Sequence, residues 1–288
     1  MKNFRQYLPQ ILIIILFISA FFIWYFIYFH QHNNYLKVAF LDVGQGDSIY
    51  IEAPNGKQML IDGGPDTKVL SRLAEVMPFG DRSIDLILAT HNDSDHIGGL
   101  PYVLDHYKVG NIIENGVIGT TKIYQNLDNK IKNNNIGEIV ARRGMHIILD
   151  QEKNIYLDIL FPDRDVTSFD SNDGSIVGRL VYGNESFMLT GDATKYTEYL
   201  IMHNENSSTL HANILKLGHH GSKYSSGELW LEAVHPDMAI ISAGKNNRYG
   251  HPNQEVLDRL NALHIPYLST IKKGTIIFET DGAKMLTL

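Results

Sequence analysis

A run of nineteen residues without a charge, Ile11 to Phe29, constrains the first part of this chain more than any other feature. Its length is about what a helix needs to span a bilayer. Lys2 and Arg5 precede the run, and aromatic residues crowd its far end, as residues of a membrane interface would. We therefore predict an uncleaved membrane anchor followed by a short polar stalk, together covering residues 1–35.

The alternative interpretation of this run is a cleaved signal peptide. The run is longer than the apolar core of a typical signal peptide, and no A-x-A-like cleavage site follows it. Basic residues beside a membrane span stay in the cytoplasm. We therefore expect a single-pass protein of the cell membrane, with residues 36–288 forming an extracytoplasmic domain.

Composition sets broad limits on what this domain can do. The chain is 44% hydrophobic and 20% charged, as globular proteins are. Its net charge of −7 argues against a broad basic surface, which weakens the case for a nucleic-acid ligand without excluding one. Since the sequence contains no cysteine, disulfides and thiolate metal sites are excluded.

Strand-like and helix-like segments follow one another from residue 36 onward. The runs KVAFLDV, SIYIEAP and QMLID predict three early strands, and Asn55-Gly56 is a strong turn signal between the last two. The second half alternates strands with helices, ending in a helix over Gln254–His264 and two final strands. This pattern predicts an α/β fold in which two mixed sheets pack face to face with helices outside.

The stretch THNDSDHIGGL directly follows a predicted strand and carries four candidate metal ligands, His91, Asp93, Asp95 and His96. His91 and Asp93 are two residues apart, so they project to the same side of an extended loop. The other two follow where the chain turns into a helix and approach from another direction. Such nitrogen and oxygen donors suit Zn²⁺, Mn²⁺ or Fe. The alternative is a polar turn that caps a helix.

Further polar residues follow later apolar strands, namely Asp192, His219, His220, Lys245, Arg248 and His251. Active-site residues of layered α/β folds gather at strand ends, and helix capping does not explain three such ends. Four cations flank these late motifs and are candidate contacts for substrate phosphates, Lys216, Lys223, Lys245 and Arg248. Solvated surface charge explains these four equally well.

The motifs FLDVGQGDS, LIDGG, THNDSDHIGG, LTGD, LKLGHHGS and YGHP, in this order, resemble the metallo-β-lactamase-fold domain of the ComEC family of competence DNA-uptake proteins. The resemblance covers essentially all of the chain after the anchor. It implies an αββα sandwich with a metal centre at one edge. It also implies that His91, Asp93, Asp95 and His96 form the family's H-x-[HD]-x-D-H ligand motif.

The same resemblance implies roles for residues outside this motif. Asp192 matches the aspartate that bridges two metals, and either His219 or His220 matches the late histidine ligand. Asp62 matches a buried aspartate that supports the ligand loop. His251 resembles a further histidine near the metals and is the candidate to protonate a leaving group or to hold a phosphate oxygen.

Two departures from the superfamily pattern concern the first metal site. Asp93 stands where most of the superfamily has histidine, although the ComEC-like branch often has aspartate. No histidine lies in FDSNDGSIV, where the superfamily usually has another ligand, and four residues there could supply oxygen instead, Ser171, Asn172, Asp173 and Ser175. An oxygen-rich site shifts preference toward Mn²⁺. The sequence therefore allows either Mn²⁺ or Zn²⁺ as the metal, and either one or two ions per chain.

The chemistry that this pattern predicts is metal-assisted hydrolysis, in which a bound divalent ion lowers the pKa of water to about 7. Asp95 would ligate the second metal and orient the attacking group. We expect a phosphodiesterase, and more specifically a nuclease acting on DNA. Alternatives are hydrolysis of a wall-polymer phosphodiester, a lactone or a thioester, and a non-catalytic partner of an uptake or envelope assembly. A single span cannot form a DNA channel, so any role in uptake requires a separate DNA-uptake machinery.

Overall fold

The structure is a computed structural model that describes residues 2–31 and 35–288. Contacts divide the chain into two units, residues 1–34 and 35–288. In the first unit, helix α1 (Lys2–Gln31) contains an apolar segment, Tyr7–Phe26, that is long enough to cross a membrane. A signal sequence meets the same criteria, so the anchor and its topology stay predictions. The end of the predicted stalk, residues 32–34, lies outside the described residues.

The first sheet of the second unit has eight strands in the order β15-β14-β1-β2-β3-β4-β5-β6. Its strands are β1 (Leu36–Phe40), β2 (Ile49–Glu52), β3 (Gln58–Ile61), β4 (Ser83–Leu88), β5 (Lys108–Glu114), β6 (Gly137–Val140), β14 (Ile276–Thr280) and β15 (Met285–Thr287). The run from β3 to β6 is parallel, whereas the remaining pairs are antiparallel. The sheet is therefore mixed, as the sequence predicts.

The second sheet has seven strands in the order β13-β12-β11-β10-β9-β8-β7. Its strands are β7 (His146–Asp150), β8 (Ile155–Phe161), β9 (Val177–Tyr182), β10 (Glu185–Leu189), β11 (Ile214–Lys216), β12 (Met238–Ile241) and β13 (Tyr267–Ser269). Here β10 to β13 run parallel, and β7 to β10 form an antiparallel meander. Each sheet thus has one parallel run whose carboxyl ends can carry a site.

Helices cover the outer faces of both sheets. They are α2 (Lys68–Val76), α3 (Ser94–Ile97), α4 (Leu100–His106), α5 (Lys122–Asn133), α6 (Lys195–Asn204), α7 (Ser207–Leu210), α8 (Glu228–Val234), α9 (Gln254–Ala262) and α10 (Thr270–Lys273). Short 3₁₀ turns lie at Asn172–Gly174 and Gly218–Gly221.

Strand β1 shows why the sheets are buried on both faces. Side chains alternate along a strand, so Val38 and Phe40 enter the core between the sheets, while Ala39 enters the core under the outer helices. Across the inner core, the rings of Phe187 and Phe278 from opposite sheets lie 5.9 Å apart between centroids. A third core lies under the helices of the second sheet. These layers confirm the αββα sandwich.

Strand β5 was not predicted, and its sequence explains why. KVGNIIE begins with exposed or half-exposed residues and carries Gly110 and Asn111, which weaken a strand signal. Its identity as a strand comes from parallel pairing with β4 and β6 on both sides. The Asn55-Gly56 turn, by contrast, joins the antiparallel pair β2 and β3 as its local sequence predicts.

Candidate metal centre

Loops from both sheets meet at one edge of the sandwich, where the parallel strands end. They carry Asp47 between β1 and β2, Asp62 after β3, His91 to His96 after β4, Asp192 after β10, and His219 and His220 after β11. The carboxyl ends of parallel strands share one edge, so residues far apart in sequence come together there.

Four buried side chains form the centre of this cluster, Asp47, His96, Asp192 and His220. One candidate ligand atom from each lies within 4.8 Å of the others. His96 Nε2 is 3.2 Å from Asp192 Oδ1, and His220 Nε2 is 3.4 Å from Asp192 Oδ2. Asp192 therefore has an imidazole close to each of its carboxylate oxygens.

Two sets of candidate donors lie around Asp192. His91 Nε2 is 4.0 Å from Asp192 Oδ2 and 3.8 Å from Asp93 Oδ2; we call His91 and Asp93 the first donor group. His220 Nε2, which is 3.4 Å from Asp192 Oδ2, is also 3.4 Å from Asp95 Oδ2. We call Asp95, His96 and His220 the second donor group. The arrangement is that expected of a carboxylate shared by two neighbouring cation sites.

The adjacent histidines His219 and His220 project in different directions. Both have left-handed backbone angles, with φ of 49° and 57°, which are uncommon for non-glycine residues. His220 is buried, and its Nδ1 lies 2.9 Å from the Ser242 carbonyl oxygen, so Nε2 faces the centre. The His219 side chain is 24% exposed, and its Nε2 lies 3.8 Å from Asp192 Oδ2. His220 belongs to the buried cluster, and His219 lies at its rim.

Asp62 holds the ligand loop in place from within the protein. This fully buried carboxylate accepts hydrogen bonds from the Thr90 backbone N (2.8 Å) and from Thr90 Oγ1 (2.7 Å). Its Oδ2 also lies 2.8 Å from His96 Nδ1. When His96 Nδ1 donates to Asp62, the lone pair of Nε2 points toward Asp192, as in carboxylate–histidine pairs that orient metal ligands.

Asp47 is a site residue that the sequence analysis did not identify. It follows Gly44-Gln45-Gly46 in the loop between two antiparallel strands. Gly46 has a φ of 132°, and a Cβ there would lie 2.1 Å from the Asp95 carbonyl oxygen, so glycine is required for this close approach. The signal in the sequence was the motif FLDVGQGDS itself, but only the fold brings this loop to the edge.

Lys216 differs from its expected place among the surface cations. Its side chain is fully buried. Its Nζ forms an ion pair with Asp47 Oδ2, donates to the Gly191 carbonyl oxygen (2.8 Å) and lies 3.8 Å from Asp192 Oδ1. Lys216 is the last residue of β11, so its long side chain runs into the edge instead of out to solvent. It acts on the carboxylates of the centre and cannot contact a substrate at the surface.

Burial and close charges shift the pKa values of this cluster strongly. Burial alone would raise the pKa of Asp192, but His220 and His96 hold it well below its usual value. Burial would lower the pKa of His96, but Asp192 and Asp62 raise it well above the usual value. The pKa of His220 rises to about 9 for similar reasons, against the effect of burial. The carboxylates thus stay ionised and attract positive charge.

The donor atoms of this cluster fit a divalent metal ion. Five of them, all buried, have no hydrogen-bond partner among the described residues, Asp47 Oδ1, His91 Nε2, His96 Nε2, Asp192 Oδ1 and His220 Nε2. Buried polar atoms are normally satisfied, so atoms that converge on one volume without protein partners indicate a binding site for a cation. Nitrogen and oxygen donors of this kind suit Zn²⁺ as well as Mn²⁺.

The oxygen candidates near the first donor group differ in what they contact. Ser171 Oγ donates to Asp93 Oδ1 (2.7 Å), and Asn172 Nδ2 lies 3.3 Å from His219 Nδ1. Ser175 Oγ accepts from the Asp192 backbone N (3.3 Å). Asp173 instead accepts from Thr194 Oγ1, which caps α6. Ser171, Asn172 and Ser175 therefore lie around the centre. The Asp173 carboxylate is instead hydrogen-bonded to Thr194 at the start of α6.

His251 and two of the surface cations lie beside the centre. The His251 ring centroid is 5.2 Å from that of His219. Burial, His219 and His220 lower the pKa of His251 to about 4, so its imidazole is neutral near pH 7. A cleft of about 560 Å³ lies here, and both His251 and Lys223 line it. Arg248 packs over the ring of Tyr249, which also lines this cleft. Lys245 is exposed after β12 and does not line this cleft.

The sequence profile of the metallo-β-lactamase superfamily matches residues 41–245, which include most of both sheets and most of the edge cluster. The chain therefore belongs to the metallo-β-lactamase superfamily, whose fold is that of metal-dependent hydrolases. The resemblance drawn from the motifs is thereby confirmed at the level of the superfamily, and curated relatives show the similarity to the narrower branch.

Three of these relatives are competence or recombination proteins by name. ComE operon protein 3 of Bacillus subtilis is 36% identical over 84% of this chain and 33% of its own length. Competence protein ComA of Neisseria gonorrhoeae is 30% identical over 85% of this chain and 32% of its own length. Recombination protein 2 of Haemophilus influenzae is 31% identical over 83% and 28%. The chain thus spans roughly a third of the length of the curated relatives it matches.

Solved structures agree on the fold. A metallo hydrolase from Ignicoccus hospitalis, Igni18, superposes with a TM-score of 0.57 at 14% identity, covering 85% of this chain and 99% of that one. The CmlA β-hydroxylase, as an E377D mutant, superposes with a TM-score of 0.54 at 12% identity, covering 88% of this chain and 54% of its own. At such low identity these likenesses concern the architecture alone.

Proposed function

We propose that this chain is a metal-dependent phosphodiesterase that cleaves nucleic acid. The observation that carries the proposal is Asp192, a buried carboxylate with two sets of nitrogen and oxygen donors close to it, next to His219 in the wall of a cleft. Two divalent ions held by such donors would clamp the attacking and leaving oxygens of a phosphodiester. The names of the relatives, competence and recombination proteins, support nucleic acid as the substrate.

The ligand roles follow from the donor groups. We assign His91 and Asp93 to one ion, Asp95, His96 and His220 to the other, and Asp192 to both. His219 can supply a further nitrogen near the first donor group, since its Nε2 faces Asp192 Oδ2 at 3.8 Å. When bound, the ions supply a nucleophile at neutral pH and neutralise the charge that develops on the phosphate.

Asp95 and His251 are the residues that we assign to the reaction itself. Against the effect of burial, His220 and His96 hold the pKa of Asp95 below its usual value, so it is a permanent hydrogen-bond acceptor that can orient the attacking group. The imidazolium form of His251 has a pKa of about 4, so near pH 7 the ring is neutral and holds no acidic proton for a leaving group. It therefore suits holding a phosphate oxygen through an N–H better than protonating a leaving group.

We also propose that α1 anchors the domain at the outer face of the cell membrane. The apolar segment Tyr7–Phe26 supports the anchor, and the basic residues before it support an extracytoplasmic domain. In this arrangement the chain would process DNA beside a separate uptake channel, which is the partner that the competence relatives suggest.

A metal-reconstitution screen tests the proposal. The full chain is solubilised in detergent, stripped with a chelator and supplied with Mn²⁺ or Zn²⁺. It is then assayed against bis-p-nitrophenyl phosphate, single-stranded and double-stranded DNA, a lactone and a thioester. We expect hydrolysis of the phosphodiesters. Turnover of only the lactone or the thioester would replace the proposal with another hydrolase, and metal binding without any turnover would favour a non-catalytic partner.

Asp95→Asn is the matched variant for this screen. It keeps the size of the side chain but removes a charged ligand and acceptor, so we expect the rate to fall by far more than tenfold while the circular dichroism spectrum is unchanged. A loss of less than tenfold, or about 1.4 kcal/mol in the barrier, would remove Asp95 from the essential groups.

A further inference from the structure

Two clefts flank the metal centre and share a wall. One, of about 560 Å³, is lined by His219, Tyr224, Tyr249 and His251 among others. The other, of about 400 Å³, is lined by Tyr196, His219 and Tyr224 among others. Because His219 and Tyr224 line both, the clefts adjoin each other beside the candidate metal centre, and we call the pair of clefts the groove. A chain-like substrate can therefore extend to both sides of the reacting position.

The groove displays tyrosine rings to solvent. Tyr196, Tyr224 and Tyr249 are 49%, 63% and 50% exposed, which is unusual for large aromatic side chains that could be buried. A cation lies over two of these rings: Lys223 Nζ is 5.4 Å from the Tyr224 centroid, and Arg248 Cζ is 4.8 Å from the Tyr249 centroid. Each pair offers an aromatic surface together with a positive charge.

The loop that carries Tyr224 is held rigidly although the ring itself is exposed. Arg259 donates to the carbonyl oxygens of Ser225 and Ser226, and also to that of Lys223 (3.3 Å). The buried carboxylate of Glu198 accepts from the backbone N of Ser226 (2.5 Å) and of the next residue (2.9 Å). A ring fixed before binding loses little conformational entropy when a ligand stacks on it.

The loop that carries Tyr249 is held in a similar way. The Asn247 side chain donates to the carbonyl oxygens of Gly244 (2.9 Å) and His251 (2.6 Å) and accepts from the His251 backbone N (2.9 Å). The rings of Tyr249 and His251 are stacked at 5.7 Å between centroids. Tyr249 is thus connected directly to a residue beside the metal centre.

The charge of the groove argues against binding through phosphates alone. Lys195, Lys223 and Arg248 contribute three positive charges, but Asp170, Asp173 and Glu255 also line the two clefts. A duplex binder relies on many phosphate contacts and keeps its bases stacked inside the helix. A groove with few net charges and several exposed rings is better suited to unpaired bases, because every base has a face that stacks on an aromatic ring.

We propose that this groove binds single-stranded nucleic acid, with bases stacked on Tyr224 and Tyr249, and that it thereby selects single strands over duplex. The inference rests on the proposed function and adds the form of the substrate. Tyr196 extends the same surface into the second cleft. Lys223 and Arg248 position phosphates beside the stacked bases.

Fluorescence anisotropy tests the inference without any turnover. The full chain in detergent, kept free of metal with a chelator, is titrated into a labelled oligothymidylate of about ten nucleotides, and separately into a duplex of equal length. We expect Tyr224→Ala and Tyr249→Ala each to weaken single-strand binding roughly 5- to 150-fold, the equivalent of about 1–3 kcal/mol per stacked base. Tyr224→Phe and Tyr249→Phe keep the ring and should bind within about twofold of the native chain.

Tyr199→Ala is the matched control, because Tyr199 is 52% exposed on α6 and lines neither cleft. With about three cations, the slope of log affinity against log salt should be no steeper than roughly −2. Equal affinity for duplex, unchanged affinity in both alanine variants, or an equal loss in Tyr199→Ala would overturn the inference. Because this assay measures binding alone, its failure is distinguishable from a failure of phosphodiester hydrolysis in the metal screen.

Discussion

Asp93 shows how one residue can set the character of a metal site. Its carboxylate lies 3.8 Å from His91 Nε2, where an imidazole would be the usual partner in this superfamily. Ser171 Oγ donates to its other oxygen, so the side chain is oriented toward the centre. His219 Nε2 lies 3.8 Å from Asp192 Oδ2, the oxygen that His91 also approaches, and so offers a further imidazole nitrogen. The first donor group therefore combines imidazole with carboxylate instead of consisting of imidazoles alone.

We expect the native chain to hydrolyse phosphodiesters faster with Mn²⁺ than with Zn²⁺, because carboxylate donors favour the harder ion. Asp93→His should tighten Zn²⁺ binding and narrow or reverse this preference. Rates and binding are measured by titrating each metal into chelator-treated protein. Asp258→His, at an exposed aspartate of α9 that lines neither cleft, is the control. If the native chain is best with Zn²⁺, or if the ratio does not change in Asp93→His, Asp93 does not select the metal.

At the scale of elements, strand β11 delivers a buried cation to the centre. Lys216 is its last residue, and its ammonium group lies among Asp47, Asp192 and the Gly191 carbonyl oxygen. Together with burial, this ammonium group affects the pKa of both aspartates, and in each case nearby positive charge outweighs burial. The strand therefore supplies the positive charge that lets buried carboxylates exist in the metal-free fold.

Replacing this cation should destabilise the metal-free protein. Lys216→Met leaves the buried Asp47 without its ion-pair partner and removes one of the positive charges beside Asp192, for which we expect a loss of about 3–5 kcal/mol in the free energy of unfolding. A divalent ion supplies the missing charge, so adding Mn²⁺ should restore more stability to this variant than to the native chain. Chemical denaturation with and without chelator measures both effects, and Lys223→Met at the surface is the control. Native-like stability of Lys216→Met in chelator would contradict this role.

Helix α6 supports the loop before α8 through Glu198. This carboxyl is 3% exposed and accepts from two backbone N–H groups. Burial nevertheless raises its pKa from 4.5 to about 7, against the effect of those bonds. A raised pKa means that the folded state holds its proton at a pH where the unfolded chain has released it. The contribution of Glu198 to stability is therefore greatest below about pH 4.5 and is lost as the pH rises toward 7.

We expect the free energy of unfolding to fall by up to about 1.4 kcal/mol per pH unit across this window because of Glu198 alone. Glu198→Gln does not ionise, so its stability should lack this component of the slope. Denaturation curves at several pH values, taken for the native chain, for Glu198→Gln and for the control Glu232→Gln, measure the difference. Glu232→Gln, at an exposed position of α8, should keep the native slope. The same slope in Glu198→Gln would show that Glu198 is ionised throughout.

At the scale of the whole molecule, the described residues form one apolar helix and one αββα sandwich, treated as separate units. The sandwich carries its candidate centre at a single edge, and the chain covers roughly a third of the length of the competence relatives. An apolar helix long enough to cross a membrane and a metallo-β-lactamase fold are the two parts that the proposed tethered hydrolase requires. Topology is therefore the property on which its biological role depends most.

We expect the chain to have its amino terminus in the cytoplasm and its domain outside. A reporter that is active only outside the cytoplasm, fused after Leu288, should be active, and a cytoplasm-specific reporter at the same position should be silent. Lys2→Glu combined with Arg5→Glu should reduce this bias, since basic residues set the orientation. Activity of the cytoplasmic reporter alone would reverse the topology. Recovery of a mature chain that begins near residue 30 would show a cleaved signal peptide instead.

The sequence by itself determined the fold class and most strands, because alternating apolar residues and turn signals such as Asn55-Gly56 act locally. It also pointed to the metal motif, since THNDSDH is contiguous. Asp47, Lys216 and β5 depended on tertiary structure. Asp47 and Lys216 are 169 positions apart, and no local pattern reveals that they meet. Only the packing of the two sheets brings the ends of β1 and β11 to one edge, where burial turns a common lysine into a counter-ion.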